Sequence, residues 1–328
     1  MELLLLLLAG SLIFPLAAPA REITNACTSQ ANVFQHVNGT GMHLTLHHPQ
    51  SPCSPAPLPS ALPFSAVIVH DEARIARLAS RLAKTPSSRP TSLRKSTGGA
   101  HLRDSQAPAD NEGLFGRSAG LIGLARNKLS LLYQLAPSLG DSFSYCLPTS
   151  ASPGYLSIGS YTPAEYSYTP MVSSSLDASL YFVSLASMSV AGSPLAVSPS
   201  EYGSLATIID SGTVITRLPT AVYTALSKAL GAAMGGAPRA PAYSILDTCF
   251  KGQVSKLRVP AVDMAFAGGA TLKLAPGNVL IDVDESTTCL AFAATDSTAI
   301  IGNTQQQTFS VVYDVAQSRI GFAAGGCS

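Results

Sequence analysis

The 328-residue sequence contains no tryptophan and little charge, and these shortages limit which kinds of function are plausible for it. Only 12% of the residues are charged, and the formal net charge is +1. No basic block alternates with aromatic residues, which excludes the usual electrostatic basis for nucleic-acid binding. No pair of cysteines has the CxxC spacing of a zinc site, which argues against a structural metal.

Hydrophobic residues, by contrast, make up 46% of the chain, enough for a large core and more than one lobe. Six cysteines suit an oxidising compartment, so disulfides are predicted rather than metal ligands. These are Cys27, Cys53, Cys146, Cys249, Cys289 and Cys327.

The first 20 residues have the pattern of a secretory signal. An apolar run from Leu3 to Phe14 leads to the small residues Ala18-Pro19-Ala20, a plausible cleavage site. Prolines interrupt the run before it reaches the length needed to span a membrane, so we expect no stable membrane anchor. The triplet that begins at Asn38 is a candidate glycosylation site and agrees with secretion.

Residues 21–105 are rich in proline, serine and arginine, and we expect this leader to lie outside the core. One amphipathic stretch, from Asp71 to Lys84, is predicted to be helical. Its apolar stripe is Ile75, Leu78, Ala79 and Leu82, with Arg74, Arg77 and Arg81 off that stripe.

Positive charge is concentrated in the leader. Eight of the 20 basic residues fall between Arg74 and Arg103, and the chain beyond residue 103 has 11 basic and 15 acidic residues, a net charge of −4. Such a leader suggests a pro-segment that neutralises an acidic cleft and is released when carboxylates protonate. A solvated linker is equally consistent with the charge pattern.

From Gly113 onward, short apolar or alternating runs separated by Gly, Pro and Ser predict a mostly β fold. The predicted strands are Ser142 to Leu147, Tyr155 to Ile158, Leu180 to Val190, Thr207 to Ile209, Cys289 to Ala293, Phe309 to Asp314 and Arg319 to Ala323. Two helices are predicted, Asn127 to Ala136 and Thr220 to Ala233. Val222, Leu226, Leu230 and Ala233 should share one face of the second helix.

The most informative stretch is Thr207 to Pro219, an apolar strand that delivers Asp210 into the turn Ser211-Gly212-Thr213. Turn amides and the Thr213 hydroxyl can donate hydrogen bonds to such a carboxylate and favour its ionised form. Taken alone, Asp-Ser-Gly is a common turn.

In its surroundings, this stretch resembles the C-terminal-lobe active-site motif of pepsin-like aspartic proteases. Ala299 to Asn303, with Ile301 and Gly302, resembles the segment that braces that motif. The closing strands Phe309 to Asp314 and Arg319 to Ala323 also match the family.

The first part of the chain resembles the same family. Gly120 to Leu124, with Ile122 and Gly123, is similar to the bracing segment of the N-terminal lobe. Ser142 to Pro148 resembles the nepenthesin-like plant branch, and residues 47–55 resemble its pro-segments. His43, His47 and His48 have no carboxylate or cysteine at ligand spacing, so no metal is expected there.

One family feature is absent. Members have a second Asp-Thr/Ser-Gly motif in the N-terminal lobe, followed by a flap with a tyrosine, and neither is found here. The candidates Asp104, Asp141 and Asp296 have no glycine at the required position. The absence of tryptophan fits a loss of these strands, because the family usually places one after its first motif.

The resemblance implies a mostly β, bilobal pepsin-like fold with an intact C-terminal lobe, residues 165–328. A pro-segment-like region, residues 21–105, would precede a truncated N-terminal lobe, residues 111–164. It further implies disulfides Cys249–Cys289 and Cys146–Cys327; whether Cys27 and Cys53 pair is open. Strand edges exposed by the truncation would allow self-association.

The implied function is acid endopeptidase activity on proteins or peptides, with Asp210 as one half of the dyad, Thr213 as its hydrogen-bonding neighbour and no cofactor. Because two carboxylates normally share the work on one water, a lone aspartate predicts an inactive chain. Alternatives are a binding or inhibitor protein on this scaffold, and an incomplete gene model or splice form of an active protease. The expected location is the apoplast or cell wall, with the vacuole or another secretory destination as alternatives.

Overall fold

Short β-strands dominate the described part of the chain, as the alternating apolar pattern predicts. The computed structural model describes residues 41–54, 63–83, 122–159 and 161–325, all within the compact unit Val33–Ser328. The predicted signal peptide, Cys27, Asn38, Asp104 and Cys327 lie outside the described residues.

The strands are β1 (Gly41–Leu46), β2 (Ser142–Cys146), β3 (Gly154–Gly159), β4 (Ser167–Pro170), β5 (Phe182–Val183), β6 (Leu185–Val190), β7 (Ser193–Pro194), β8 (Thr207–Ile209), β9 (Thr216–Pro219), β10 (Arg239–Ala240), β11 (Cys249–Lys251), β12 (Val262–Phe266), β13 (Thr271–Leu274), β14 (Leu280–Asp282), β15 (Thr287–Leu290), β16 (Phe292–Thr295), β17 (Ala299–Ile301), β18 (Phe309–Asp314) and β19 (Arg319–Ala324). The helices are α1 (Phe64–Ala83), α2 (Leu131–Leu139), α3 (Pro199–Tyr202), α4 (Thr220–Ala233), α5 (Pro276–Val279) and α6 (Asn303–Gln306).

A six-stranded antiparallel sheet has the order β1-β3-β2-β18-β19-β4. Its inner face comes from alternate residues of each strand. Phe143 of β2 and Tyr313 of β18 are paired neighbours whose rings stack 4.4 Å apart. Such pairs across a sheet fix its register by packing.

A five-stranded sheet, in the order β16-β9-β17-β8-β5, presents the predicted active-site turn. Its pairs β16/β9 and β17/β8 are parallel, so β8 and β17 end at the same edge. Two four-stranded sheets, β10-β11-β15-β14 and β13-β12-β6-β7, complete the C-terminal region.

Helix α4 has the predicted boundaries, and Val222, Leu226 and Leu230 are fully buried on one face. Ala233 is exposed at the end of the helix, and Met234 is buried in its place. Helix α2 begins four residues later than predicted, because the Ser130 side chain caps it by accepting a hydrogen bond from the Tyr133 amide.

The prediction that the leader lies outside the core is wrong. Strand β1 pairs with β3 along its full length, from Gly41 opposite Gly159 to Leu46 opposite Gly154. The predicted exposed edge of β3 is therefore covered, because residues of the leader supply its missing neighbour. Self-association through that edge has no basis in the described residues.

Helix α1 starts earlier than predicted and also packs on the body. Ile68, Asp71 and Leu78 are buried, at spacings of three and seven residues on one helix face. Ile68 joins a small cluster that contains Ile215 and the Cys249–Cys289 disulfide. Arg74 and Arg81, expected off the stripe, are half-buried beside it.

Candidate active site

Asp210 follows the last residue of β8, where parallel pairing with β17 delivers it to the edge of the sheet. Its own turn holds the carboxylate. Thr213 Oγ1 donates to Oδ2 at 2.6 Å, and the Gly212 amide donates to Oδ1 at 3.2 Å. Two residues of the turn, Gly212 and Thr213, thus hold the Asp210 carboxylate as a hydrogen-bond acceptor, as the sequence motif predicts.

The predicted bracing segment lies beside this turn. The Gly302 amide donates to Thr216 Oγ1 at 2.8 Å, and the Asn303 amide donates to the Thr213 carbonyl at 2.6 Å. A Cβ at position 302 would lie 2.7 Å from the Val214 carbonyl oxygen, so only glycine allows this approach. Ile301, at the end of β17, is fully buried.

The second predicted bracing segment has no such role in the structure. Ile122 is 57% exposed, and nothing lies within 4 Å of a Cβ built on Gly123. The physical reason is that the aspartate turn this segment would support does not occur in the sequence.

No candidate for a second catalytic aspartate is bonded to Asp210 in the described residues. Asp296 accepts a hydrogen bond from Thr220 Oγ1 at the start of α4. Asp141 lies before β2, where its carbonyl accepts from the Val315 amide. The described residues thus provide one carboxylate at the predicted active-site turn, where the family resemblance implies two.

What contacts Asp210 instead is Arg74 of α1. Its Nε donates to Oδ2 at 2.8 Å and its Nη2 to Oδ1 at 2.7 Å, a two-point ion pair. The Arg74 side chain is 40% exposed and that of Asp210 only 15%. The guanidinium therefore covers both oxygens of the Asp210 carboxylate.

Gly212 lies directly against this guanidinium. A Cβ at that position would lie 2.5 Å from Cζ and Nη2 of Arg74. The Arg74 side chain therefore packs on the glycine of the Asp-Ser-Gly turn.

The pKa of Asp210 is lowered. Burial opposes ionisation, but the hydrogen bonds and charge of Arg74, with the donors of Thr213 and Gly212, outweigh it. Asp210 is therefore ionised and paired over most of the pH range, which is unlike a catalytic group that must share a proton.

A second ion pair fixes α1 one helical turn earlier. Asp71 accepts from the Val214 amide at 2.6 Å, from the Ile215 amide at 3.3 Å and from Arg217 Nη2 at 3.1 Å. Both side chains are buried, and Arg217 also pairs with Glu72, which is half-exposed. Burial raises the pKa of Asp71 against the opposing donors of Val214, Arg217 and Ile215.

Buried phenols face the site from the six-stranded sheet. Tyr145 of β2 donates to Gln306 Oε1, and Gln306 Nε2 donates to the carbonyls of Ile301 and Gly302. Burial raises the pKa of Tyr145 against an opposing hydrogen bond with Tyr313, and the charge of Asp210 raises it further. Sequence reasoning missed Tyr145, Arg74 and Asp71 as site residues because their contacts join distant parts of the chain.

The disulfide Cys249–Cys289 is present, as predicted. It joins β11 and β15 at directly paired positions, with Cα atoms 4.0 Å apart. Cys53 and Cys146 each take part in a disulfide as well. The pairing Cys146–Cys327 stays a prediction, since Cys327 lies outside the described residues.

Two histidines of the leader make contacts in the structure. His43 stacks on Tyr155 at 5.3 Å, and His48 Nδ1 accepts from the Gln50 amide at 3.2 Å.

No helix in the described ranges is long and apolar enough to cross a membrane.

Two family models match the chain, one described as xylanase inhibitor N-terminal over residues 81–160 and one as xylanase inhibitor C-terminal over residues 180–324. An aspartyl protease family protein of Arabidopsis thaliana is 41% identical over 225 residues, which are 67% of this chain and 48% of that protein. The chain belongs to the plant pepsin-like aspartic protease family. Nepenthesin-2 of Nepenthes gracilis, an aspartic proteinase, is 34% identical over 233 residues, covering 66% of this chain and 52% of nepenthesin-2.

Solved structures show the fold of this family. A crystal structure of EDGP has a TM-score of 0.57 at 21% identity over 66% of this chain and 63% of that one. Basic 7S globulin from soybean has a TM-score of 0.52 at 21% identity, over 62% of this chain and 58% of that one. The fold is mostly β and pepsin-like. The chain spans about half the length of the curated relatives it matches.

Proposed function

We propose that this chain is a latent aspartic endopeptidase, in which Asp210 is one half of a catalytic dyad and α1 belongs to an inhibitory pro-segment, residues 21–105. Residues 111–164 would be the remainder of an N-terminal lobe and residues 165–328 the C-terminal lobe. The protein would be secreted and would act, once completed, on protein or peptide substrates.

The two-point contact of Arg74 with Asp210 carries this proposal. An ionised carboxylate capped by a guanidinium cannot take a proton from an attacking water, because its lone pairs are used by Arg74, Thr213 and Gly212. A basic leader that neutralises an acidic cleft is what the charge distribution of the sequence suggests.

Activity measurements test the proposal. At acid pH, the purified chain should cleave denatured protein no faster than its Asp210→Asn variant, because half a dyad supplies little of the acceleration. In Arg74→Gln the pKa of Asp210, followed by carbon NMR of the carboxyl, should rise, with Arg77→Gln as the control at an exposed arginine of the same helix. Pepstatin-sensitive cleavage lost in Asp210→Asn would show that another carboxylate completes the site. An unchanged pKa of Asp210 in Arg74→Gln would contradict the proposed inhibitory contact between Arg74 and Asp210.

A binding protein on the same scaffold is the second candidate. Both matching family models are described as xylanase inhibitor domains, and Asp210 is not free to react in the described structure. This candidate predicts inhibition of a xylanase that is equal in wild type and in Asp210→Asn. Absence of inhibition by either protein would remove it.

A further inference from the structure

The donors that hold Asp71 all belong to the body of the protein, whereas the carboxylate they hold belongs to the leader. Two successive amides, Val214 and Ile215, point at the two oxygens, and Arg217 Nη2 donates to Oδ2. Successive backbone N–H groups that converge on one anion form a nest, a common device for binding anions. The body thus contains a carboxylate site that α1 fills.

The body presents only donors to this site, the two amides and the Arg217 guanidinium. With α1 in place Arg217 is only 3% exposed, and its backbone in β9 lies opposite Ala293 of β16 and Ile300 of β17. Nη1 already has no hydrogen-bond partner among the described residues. Withdrawal of α1 removes the carboxylate that accepts from these three donors and leaves them open to another carboxylate.

We propose that Val214 N–H, Ile215 N–H and Arg217 form a carboxylate-binding subsite that, once α1 withdraws, takes an acidic side chain of a bound peptide. The withdrawal of α1 rests on the proposed function. Two amides and one guanidinium nitrogen match the two oxygens of an aspartate or glutamate side chain, as Asp71 demonstrates.

The position of the subsite relates it to Asp210. Asp71 and Arg74 are three residues apart on α1, a rise of roughly 4.5 Å. An extended peptide covers that distance in about two residues. A substrate would therefore carry its preferred acidic residue within about two positions of the bond presented to Asp210.

Peptide binding tests the subsite directly. The full chain with Asp71→Ala and Arg74→Ala holds its own α1 weakly, so a synthetic peptide of residues 64–83 can compete for the groove. At neutral pH we expect this peptide to bind at least about tenfold tighter than the same peptide with Asp71→Asn, by calorimetry. Equal affinity of the two peptides would overturn the proposal.

A second measurement does not depend on that double variant. In the full chain with Asp71→Ala, acetate should raise the thermal midpoint relative to equal concentrations of acetamide and sodium chloride, because acetate can fill the vacated nest. Wild type should show no such difference, and no acetate effect in Asp71→Ala would contradict the subsite. Both readouts measure binding, so they hold even if no cleavage by any form of the chain is found.

Discussion

The two contacts that fix α1 are one helical turn apart and opposite in polarity. At Asp71 the leader supplies the anion and the body the buried cation, Arg217. At Arg74 the leader supplies the cation and the body the anion, Asp210. The contact distances alone do not rank the two pairs. They differ in burial, because Asp71–Arg217 is shielded from water and Arg74–Asp210 is partly exposed. Burial predicts that the Asp71 contact contributes most to the docking of α1, whereas Arg74 mainly covers the Asp210 carboxylate.

Removing the buried anion should have the largest effect. Asp71→Ala leaves Arg217 and two amides without their main acceptor, so we expect docking of α1 to weaken by about 3 kcal/mol. Hydrogen exchange of the α1 amides measures this opening free energy. Glu72→Gln, which changes the half-exposed partner of the same guanidinium, should cost about 0.5 kcal/mol. Similar losses in the two variants would mean that burial does not rank these contacts.

The half-exposed pair should have a smaller effect that depends on pH. Arg74→Gln should weaken docking by about 1 kcal/mol at neutral pH, after allowance for solvent screening. Because the pKa of Asp210 is lowered, this contribution is present above the ordinary value of 3.8 and is lost as pH falls through the lowered pKa.

Asp71 should respond in the opposite sense. Its pKa is raised, so its contribution to docking increases as pH falls through that pKa towards 3.8. A pH series of the α1 opening free energy should show the difference between wild type and Arg74→Gln shrinking in acid, while the contact at Asp71 persists. A difference independent of pH would show that the Asp210 ion pair does not hold the helix.

The outermost contact should matter least. Arg81 donates to Asp177 at 2.7 Å and to Ser179 at 2.9 Å, but its side chain is 37% exposed. We expect Arg81→Gln to cost no more than about 0.5 kcal/mol in the same exchange measurement. A larger loss than in Arg74→Gln would reverse the ranking of the three contacts.

Local patterns predicted much of the fold. Strand β8, helix α4 and strand β18 have their predicted bounds, because apolar periodicity and turn residues act over a few positions. The turn around Asp210 was predicted for the same reason. The pairing of β1 with β3 could not be predicted, since an edge strand of six residues carries little information about its partner.

The contacts of α1 were missed for a different reason. The charge pattern left open whether its arginines neutralise an acidic cleft or are solvated, and it could not identify the distant carboxylates that Arg74 and Arg81 reach. Asp71 interrupts the stripe and is nevertheless buried, because Val214, Ile215 and Arg217 satisfy it. The spacing of apolar residues carries no information about polar partners that are distant in sequence.

Within the described residues, two elements of the leader contact the body, the β1 ladder and α1. Joined by one chain, they behave as a bivalent ligand, in which either attached element keeps the other at a high effective concentration. A single cut on the C-terminal side of α1 would therefore not free the leader. Dissociation would require both elements to be detached at once, so it would be much slower than the opening of α1 alone.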